Sequence, residues 1–345
     1  MLDPRRPDPA GIARAAAILR AGGLVVFPTE TVYGLGAHAL DPAAVERIFL
    51  AKGRPADDPL IVHVHDVGEI ERLTAAVPPE AAALASRFWP GPLTLVLRRS
   101  TAVPTVVTAG LETVAIRVPA HPIAHALITA AAVPIAAPSA NLFSRPSPTR
   151  AEHVLQDLDG RVDLIIDGGP TQVGVESTVL DLTDAVPTIL RPGAVTLEMI
   201  RGVLPEVRMH DAAVHGSAPM KSPGLLAKHY SPRAPLTLYE GSHSEMAARI
   251  SADAAEALAR GQRVGLILAT EDPIALVSSD TLRIERIGSE NEPATVAANL
   301  YNALRALDAD GVDLILARSF EDTSGLGVAI ADRLRRAAGQ VIRLR

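Results

Sequence analysis

Apolar positions from residue 12 to 19 recur at helical spacing and stop at Gly22-Gly23, and the apolar run 24–27 that follows predicts a short buried strand. Pro28 ends that run. The polar stretch 29–33 then predicts a loop, with Gly34 and Gly36 allowing backbone to come close to a ligand or simply serving a turn. Asp41 as N-cap, Pro42 at the first helical position and the stripe Val45, Ile48, Phe49 predict a second helix ended by Gly53, with Lys52 in its last turn. Strand-like runs follow at 60–64, 93–97, 114–118, 164–166, 178–182 and 188–190. Helical stretches fall at 80–88 and 149–158, the latter opened by a capping box of Thr149 and Glu152. Many short strands with fewer helices predict an α/β or α+β domain, a mixed sheet carrying helices, too irregular for a simple doubly wound sheet.

Between residues 210 and 235 the periodicity fades into a stretch rich in Gly, Ser, Pro and His, which reads as a linker. Beyond it, runs at 236–239, 246–258, 264–268, 282–287, 296–307, 312–316 and 328–337 alternate as strands and helices of a compact α/β unit with Rossmann-like layering. The expected organisation is therefore a domain at 1–209, a linker at 210–235 and a smaller domain at 236–345.

Composition narrows the function classes. A chain of 345 residues that is 48% hydrophobic buries a large core and exceeds the usual size of one domain. Its net charge of -6 argues against a protein that coats a phosphate backbone, and 3% aromatic residues leave little with which to stack single-stranded bases. The absence of cysteine excludes disulfides, thiolate nucleophiles and thiolate zinc sites, and fits a cytoplasmic setting. Residues 1–9 do not read as a signal peptide. The longest apolar stretch, 124–138, is too short and too interrupted to span a bilayer, so no membrane partner is expected.

Of the 33 basic residues only Lys52, Lys221 and Lys228 are lysine. A lysine kept against such a bias points to a task that arginine does badly, and a compact point charge on a phosphate is one. Capping of the helix C-terminus is the competing reading of Lys52, and as an exposed helix-end residue it should matter little for stability. Ser139 and Asn141 stand where the apolar run 134–137 ends, a usual place for ligand contacts in α/β folds. No Ser-His-Asp order supports a hydrolase triad, and His63 and His65 lack helical zinc spacing, so no protein-borne metal site is expected. His63 and His65 would share one strand face. Gly325-Leu326-Gly327 reads as ordinary helix entry rather than a phosphate loop.

Three motifs now stand in order: the stretch from Pro28 to Gly36, Lys52-Gly53-Arg54-Pro55 running into Pro59-Leu60-Ile61-Val62-His63, and Ser139-Ala140-Asn141. Together they resemble the YrdC-like threonylcarbamoyl-AMP synthase family. Ser222-Pro223-Gly224, His229-Tyr230-Ser231-Pro232 and the α/β tail resemble its long, two-domain form, so the likeness spans almost the whole chain. The resemblance implies a YrdC-like twisted mixed sheet with helices and a Rossmann-like C-terminal domain; the linker residues Lys228, His229 and Tyr230 read as a lid that would fold over the pocket and exclude water, with a passive tether the competing reading. It implies synthesis of L-threonylcarbamoyladenylate and pyrophosphate from L-threonine, bicarbonate and ATP, with Mg²⁺ accompanying ATP. The product would pass to the tRNA threonylcarbamoyl transferase machinery, and direct contact of this chain with tRNA stays open.

By resemblance, Lys52 and Arg54 contact the phosphates and are the catalytic pair. Asp58, Thr113, Ser139, Asn141, Ser147, Arg191 and Tyr230 complete the nucleotide side. Thr31, His63, Arg117, Ala137 and Ser177 hold threonine, with Arg117 a forked partner for its carboxylate. Ala137 can offer only backbone or a methyl group. Asp58 departs from the family pattern, which has asparagine there, and a carboxylate beside phosphates repels unless it is paired, faces Mg²⁺ or points away. Two rivals are an RNA-binding assembly factor and a carbamoyl transferase with another acceptor.

Overall fold

Helix α1 (Pro9–Arg20) leads into strands β1 (Val25–Pro28) and β2 (Tyr33–His38), then α2 (Pro42–Lys52) and β3 (Ile61–His63). These positions come from a computed structural model that describes residues 8–210, 229–273, 280–320 and 324–344. The order continues with α3 (Ile70–Leu73), α4 (Pro79–Phe88), β4 (Leu93–Arg98), β5 (Thr113–Arg117), α5 (Pro122–Ala131) and β6 (Ile135–Ala136). After these come α6 (Ala151–Leu158), β7 (Leu164–Ile165), β8 (Thr178–Asp181), β9 (Thr188–Arg191), α7 (Leu197–Arg201) and β10 (Arg208–Met209). Contacts divide the described residues into two units, 8–143 with 148–210, and 144–147 with 229–344.

The first unit is built on a ten-stranded sheet of order β10-β9-β8-β4-β5-β3-β6-β2-β1-β7, with parallel and antiparallel pairs intermixed. Its main core sets Leu93, Leu95, Leu97, Val114, Ile116 and Val62 against Val45, Ile48, Leu84 and Phe88 of α2 and α4. Alternation along the strands sends the intervening side chains the other way. There Ile61, Val96, Ala115, Val179 and Leu190 make a separate, small apolar floor. Helices α1 and α5 pack together over β1 through Ile12, Leu19, Leu127 and Ile128.

Local signals were mostly obeyed. Asp41 caps α2 by accepting from the amides of Ala43 and Ala44, Pro42 opens it, and Gly53 closes it in the left-handed region at φ 62°. The capping box expected at Thr149 and Glu152 does not form. Arg150 is the N-cap, and it is His153, one position on, whose Nδ1 accepts from the Thr149 amide. Tyr33, Gly34 and Gly36, expected in a glycine-bearing loop, belong instead to the interior strand β2, paired with β1 and β6. Gly36 is small for packing: a Cβ there would lie 2.8 Å from the Phe27 ring and 2.9 Å from Ile135. His65 does not share a strand face with His63, because β3 ends at His63 and His65 turns to Asp66 and Glu69.

The second unit holds β11 (Leu236–Glu240), α8 (His243–Ala259), β12 (Val264–Leu268), β13 (Leu282–Arg286), α9 (Pro293–Ala309), β14 (Leu314–Arg318), α10 (Gly325–Ala337) and β15 (Gln340–Arg343). Its five strands are all parallel, in the order β13-β12-β14-β11-β15. The layering is Rossmann-like, with α8 packed on the strands through Met246, Ile250 and Ala254, and α9 against α10. Strand β14 lies between β12 and β11, so the unit's first two strands are not neighbours as they are in the dinucleotide fold. Gly325 opens α10 as an ordinary helix entry. Most of the linker, Lys221 and Lys228 included, lies outside the described residues.

Candidate active site

The residues with chemistry gather on the sheet face that carries the small apolar floor. Thr113, Ala115 and Arg117 alternate to one side of β5, as Ile61 and His63 do on β3 and Thr94 and Val96 on β4. Strands β3 and β5 are parallel with His63 opposite Arg117, which sets an imidazole and a guanidinium side by side. Strand β9 would send Leu190 and Arg191 to opposite faces, but its pairing with β8 shifts register between Val179 and Leu180. That bulge lets Leu190 join the floor while Arg191 still reaches Ser177, donating from Nε to its carbonyl at 3.1 Å and from Nη2 to its Oγ at 3.2 Å.

Lys52 is buried, against the expectation of an exposed helix end. Its Nζ donates to the carbonyls of Ser139 at 2.6 Å and Asn141 at 2.5 Å, which fixes the 139–141 segment to the end of α2. Three residues assigned to the nucleotide side thus form one contact group. Arg54 lies just beyond Gly53, donates to the carbonyls of Asp58 and Pro59, and pairs with the Asp58 carboxylate at 2.9 Å. Burial pushes the Asp58 carboxyl up, while the charges of Arg54, Lys52 and Arg191 act against it.

Arg117 occupies the centre of the threonine side. It donates from Nε to the Gly91 carbonyl at 3.2 Å and from Nη1 to Thr31 Oγ1 at 3.0 Å, and pairs through Nη2 with Glu30 at 2.7 Å. Two of its five N–H groups are hydrogen-bonded, and Nη2, although close to Glu30, makes no aligned hydrogen bond among the described residues, which leaves three for a carboxylate. Thr31 is held in turn by Thr29, Oγ1 to Oγ1 at 2.8 Å. Burial, then the Arg117 charge, pushes His63 down to about 3, so its ring is neutral, and its buried Nδ1 has no hydrogen-bond partner among the described residues. A buried ring nitrogen without a donor is a place for a ligand to supply one. Ala137 follows β6, with its amide given to the Ile61 carbonyl.

Thr113 shares the face of Arg117 but stands four residues earlier on β5, roughly 13 Å along the strand at ~3.3 Å per residue. Ser147 and Tyr230 belong to the second unit. There Tyr230 is buried in the left-handed region at φ 61°, with Tyr301 5.5 Å away, centroid to centroid, and the Arg333 guanidinium 5.2 Å over its ring. Two residues of the first unit were given no role from the sequence, although Glu30 lies within the first motif. Glu30 pairs with Arg117, and its other oxygen accepts from the Ala120 amide. Thr94 meets Ser177, Oγ1 to Oγ at 2.8 Å, and a lone polar residue in the apolar run 93–97 was the available signal.

Residues 17–193 match the Sua5/YciO/YrdC family model, described as "telomere recombination", and residues 195–339 match the model for the threonylcarbamoyl-AMP synthase C-terminal domain. The chain belongs to the Sua5/YciO/YrdC family. Its second matched segment identifies the long, two-domain form. A threonylcarbamoyl-AMP synthase of Bacillus subtilis (strain 168) is 51% identical over 334 residues, covering 96% of this chain and 94% of that protein. Another from Pyrococcus abyssi is 49% identical, covering 94% and 93%. The structure of P. abyssi Sua5 complexed with L-threonine superposes with a TM-score of 0.92 at 47% identity, over 99% of this chain and 98% of that one. Among the described residues no helix is long and apolar enough to cross a membrane.

Proposed function

We propose that this chain is a threonylcarbamoyl-AMP synthase that makes L-threonylcarbamoyladenylate and pyrophosphate from L-threonine, bicarbonate and ATP. The observation that carries the reading is whole-length identity near 50% to synthases of that name, in a chain that buries both the Arg117, His63 and Thr31 side chains and the cations Lys52, Arg54 and Arg191. The amine of threonine condenses with bicarbonate, releasing water and a proton, and a carbamate oxygen then attacks the α-phosphorus of ATP as pyrophosphate leaves. Arg117 receives the threonine carboxylate on N–H groups not already hydrogen-bonded to Gly91 and Thr31. Neutral His63 accepts a hydrogen bond at Nδ1 from the amino acid. Lys52 and Arg54 offset the negative charge that grows on the phosphoryl oxygens, already oriented and needing little reorganisation. Mg²⁺ accompanying ATP would supply further charge neutralisation at the phosphates, beside the charges that Lys52 and Arg54 hold there. The labile product is consumed by machinery that modifies tRNA.

Pyrophosphate release tests this reading, with ATP and Mg²⁺ present and L-threonine or bicarbonate omitted in turn, and L-serine offered in parallel. Release that needs both co-substrates and prefers threonine is the expected result. Release independent of threonine would point to another carbamoyl acceptor and overturn it.

A further inference from the structure

Asp58 is a buried carboxylate in a cationic place. It is 1% exposed, at the turn between α2 and β3. Arg54 Nη2 stands 2.9 Å from Oδ1, yet neither carboxylate oxygen receives an aligned hydrogen bond among the described residues. The reason is visible in Arg54, whose Nη2 is directed at the Pro59 carbonyl at 2.9 Å and whose Nε serves the Asp58 carbonyl at 3.3 Å. A carboxylate at home in a protein interior takes two or three aligned donors, because burial without them costs more than one nearby charge returns. Asp58 has the charges of Arg54, Lys52 and Arg191 about it and no cradle of its own.

We infer that Asp58 is an internal counter-anion that occupies the Lys52–Arg54–Arg191 charge field and competes with the phosphates of ATP, weakening nucleotide binding in this chain. The inference rests on the proposed nucleotide role of that cation group. With the carboxylate in place one of the three cationic charges is already balanced, and bound phosphates must face a carboxylate at close range. Asparagine at 58 would keep the size of the side chain and the Asp58 carbonyl that Arg54 uses. It would remove only the charge.

The test is calorimetric titration of the full chain with Mg²⁺–ATP, and separately with inorganic pyrophosphate, comparing the native chain with Asp58→Asn and Asp58→Ser. Both variants should bind each ligand at least tenfold more tightly, a change of about 1.4 kcal/mol. The KM for threonine should stay within about twofold, and thermal unfolding checks that each variant is folded. Unchanged nucleotide affinity in folded variants would overturn the inference and leave the synthase reading untouched. Weaker binding that extra Mg²⁺ restores would overturn it in favour of Asp58 as a metal ligand. Absence of ATP binding in all three chains would overturn the inference together with the reading beneath it.

Discussion

Replacing Lys52 by alanine separates two readings of this lysine, because its ammonium is buried and ties two carbonyls rather than facing solvent. The Nζ donates to the Ser139 and Asn141 carbonyls, and a hydrogen bond from a charged group is worth about 1.5–3 kcal/mol. Losing both, with water able to replace part of the loss, gives an expected drop of about 3 kcal/mol in the stability of the first unit. At an m-value of about 2 kcal/mol/M, the urea midpoint should fall by roughly 1.5 M. The chain's single tryptophan, Trp89, lies in that unit, buried and donating from Nε1 to the Leu93 carbonyl at 2.6 Å, so its fluorescence reports this unit alone. Pyrophosphate release should fall at least 100-fold in the same variant. A midpoint within about 0.2 M of the native chain would refute the reasoning, since the ammonium could not then be holding the 139–141 segment.

Three further outcomes follow from named contacts. Arg117→Lys keeps a charge but loses the fork, so the KM for threonine should rise at least 30-fold in the pyrophosphate assay while the KM for ATP moves little. His63, held neutral with its folded value near 3, binds fewer protons folded than unfolded between about pH 6.5 and pH 3. Stability therefore rises with pH across that window and is lost as pH falls through it, by up to about 1.4 kcal/mol per unit from this group; His63→Gln should flatten that slope in Trp89 urea titrations at pH 4.5, 5.5 and 7. In the second unit the Asp308 carboxylate, its side chain 4% exposed, accepts from Arg145 Nη2 and from the Arg233 and Ala234 amides, so Asp308→Ala should cost about 2–3 kcal/mol, read by thermal unfolding of the full chain.

Helix α2 was legible residue by residue because its caps are local: Asp41, Pro42 and Gly53 act within one turn of the backbone they serve. Strand β2 was not. Its glycines mimic a loop, and only the Phe27 ring and Ile135, packed where a Cβ would be, show that Gly36 belongs to a sheet interior. The capping box missed by one position for a similar reason, since His153 competes with Glu152 for the helix start and wins through a contact no spacing rule ranks.

Of the site, the rarity of lysine and the order of three motifs marked Lys52, Arg54, Ser139 and Asn141 before any coordinates, because residue identity and short spacing survive in a linear chain. Thr113 and Arg117 were assigned by resemblance to different sides of the site, and only the strand β5 puts them on one face. Which strands lie side by side was a different matter. The pairing of β3 with β5 that sets His63 beside Arg117, the bulge that turns Arg191 to Ser177, and the Glu30 and Thr94 partners all join residues far apart in sequence. Those pairings depend on how a whole sheet closes over its core, a sum of many weak contacts that no local window contains, and so only the tertiary structure decided them.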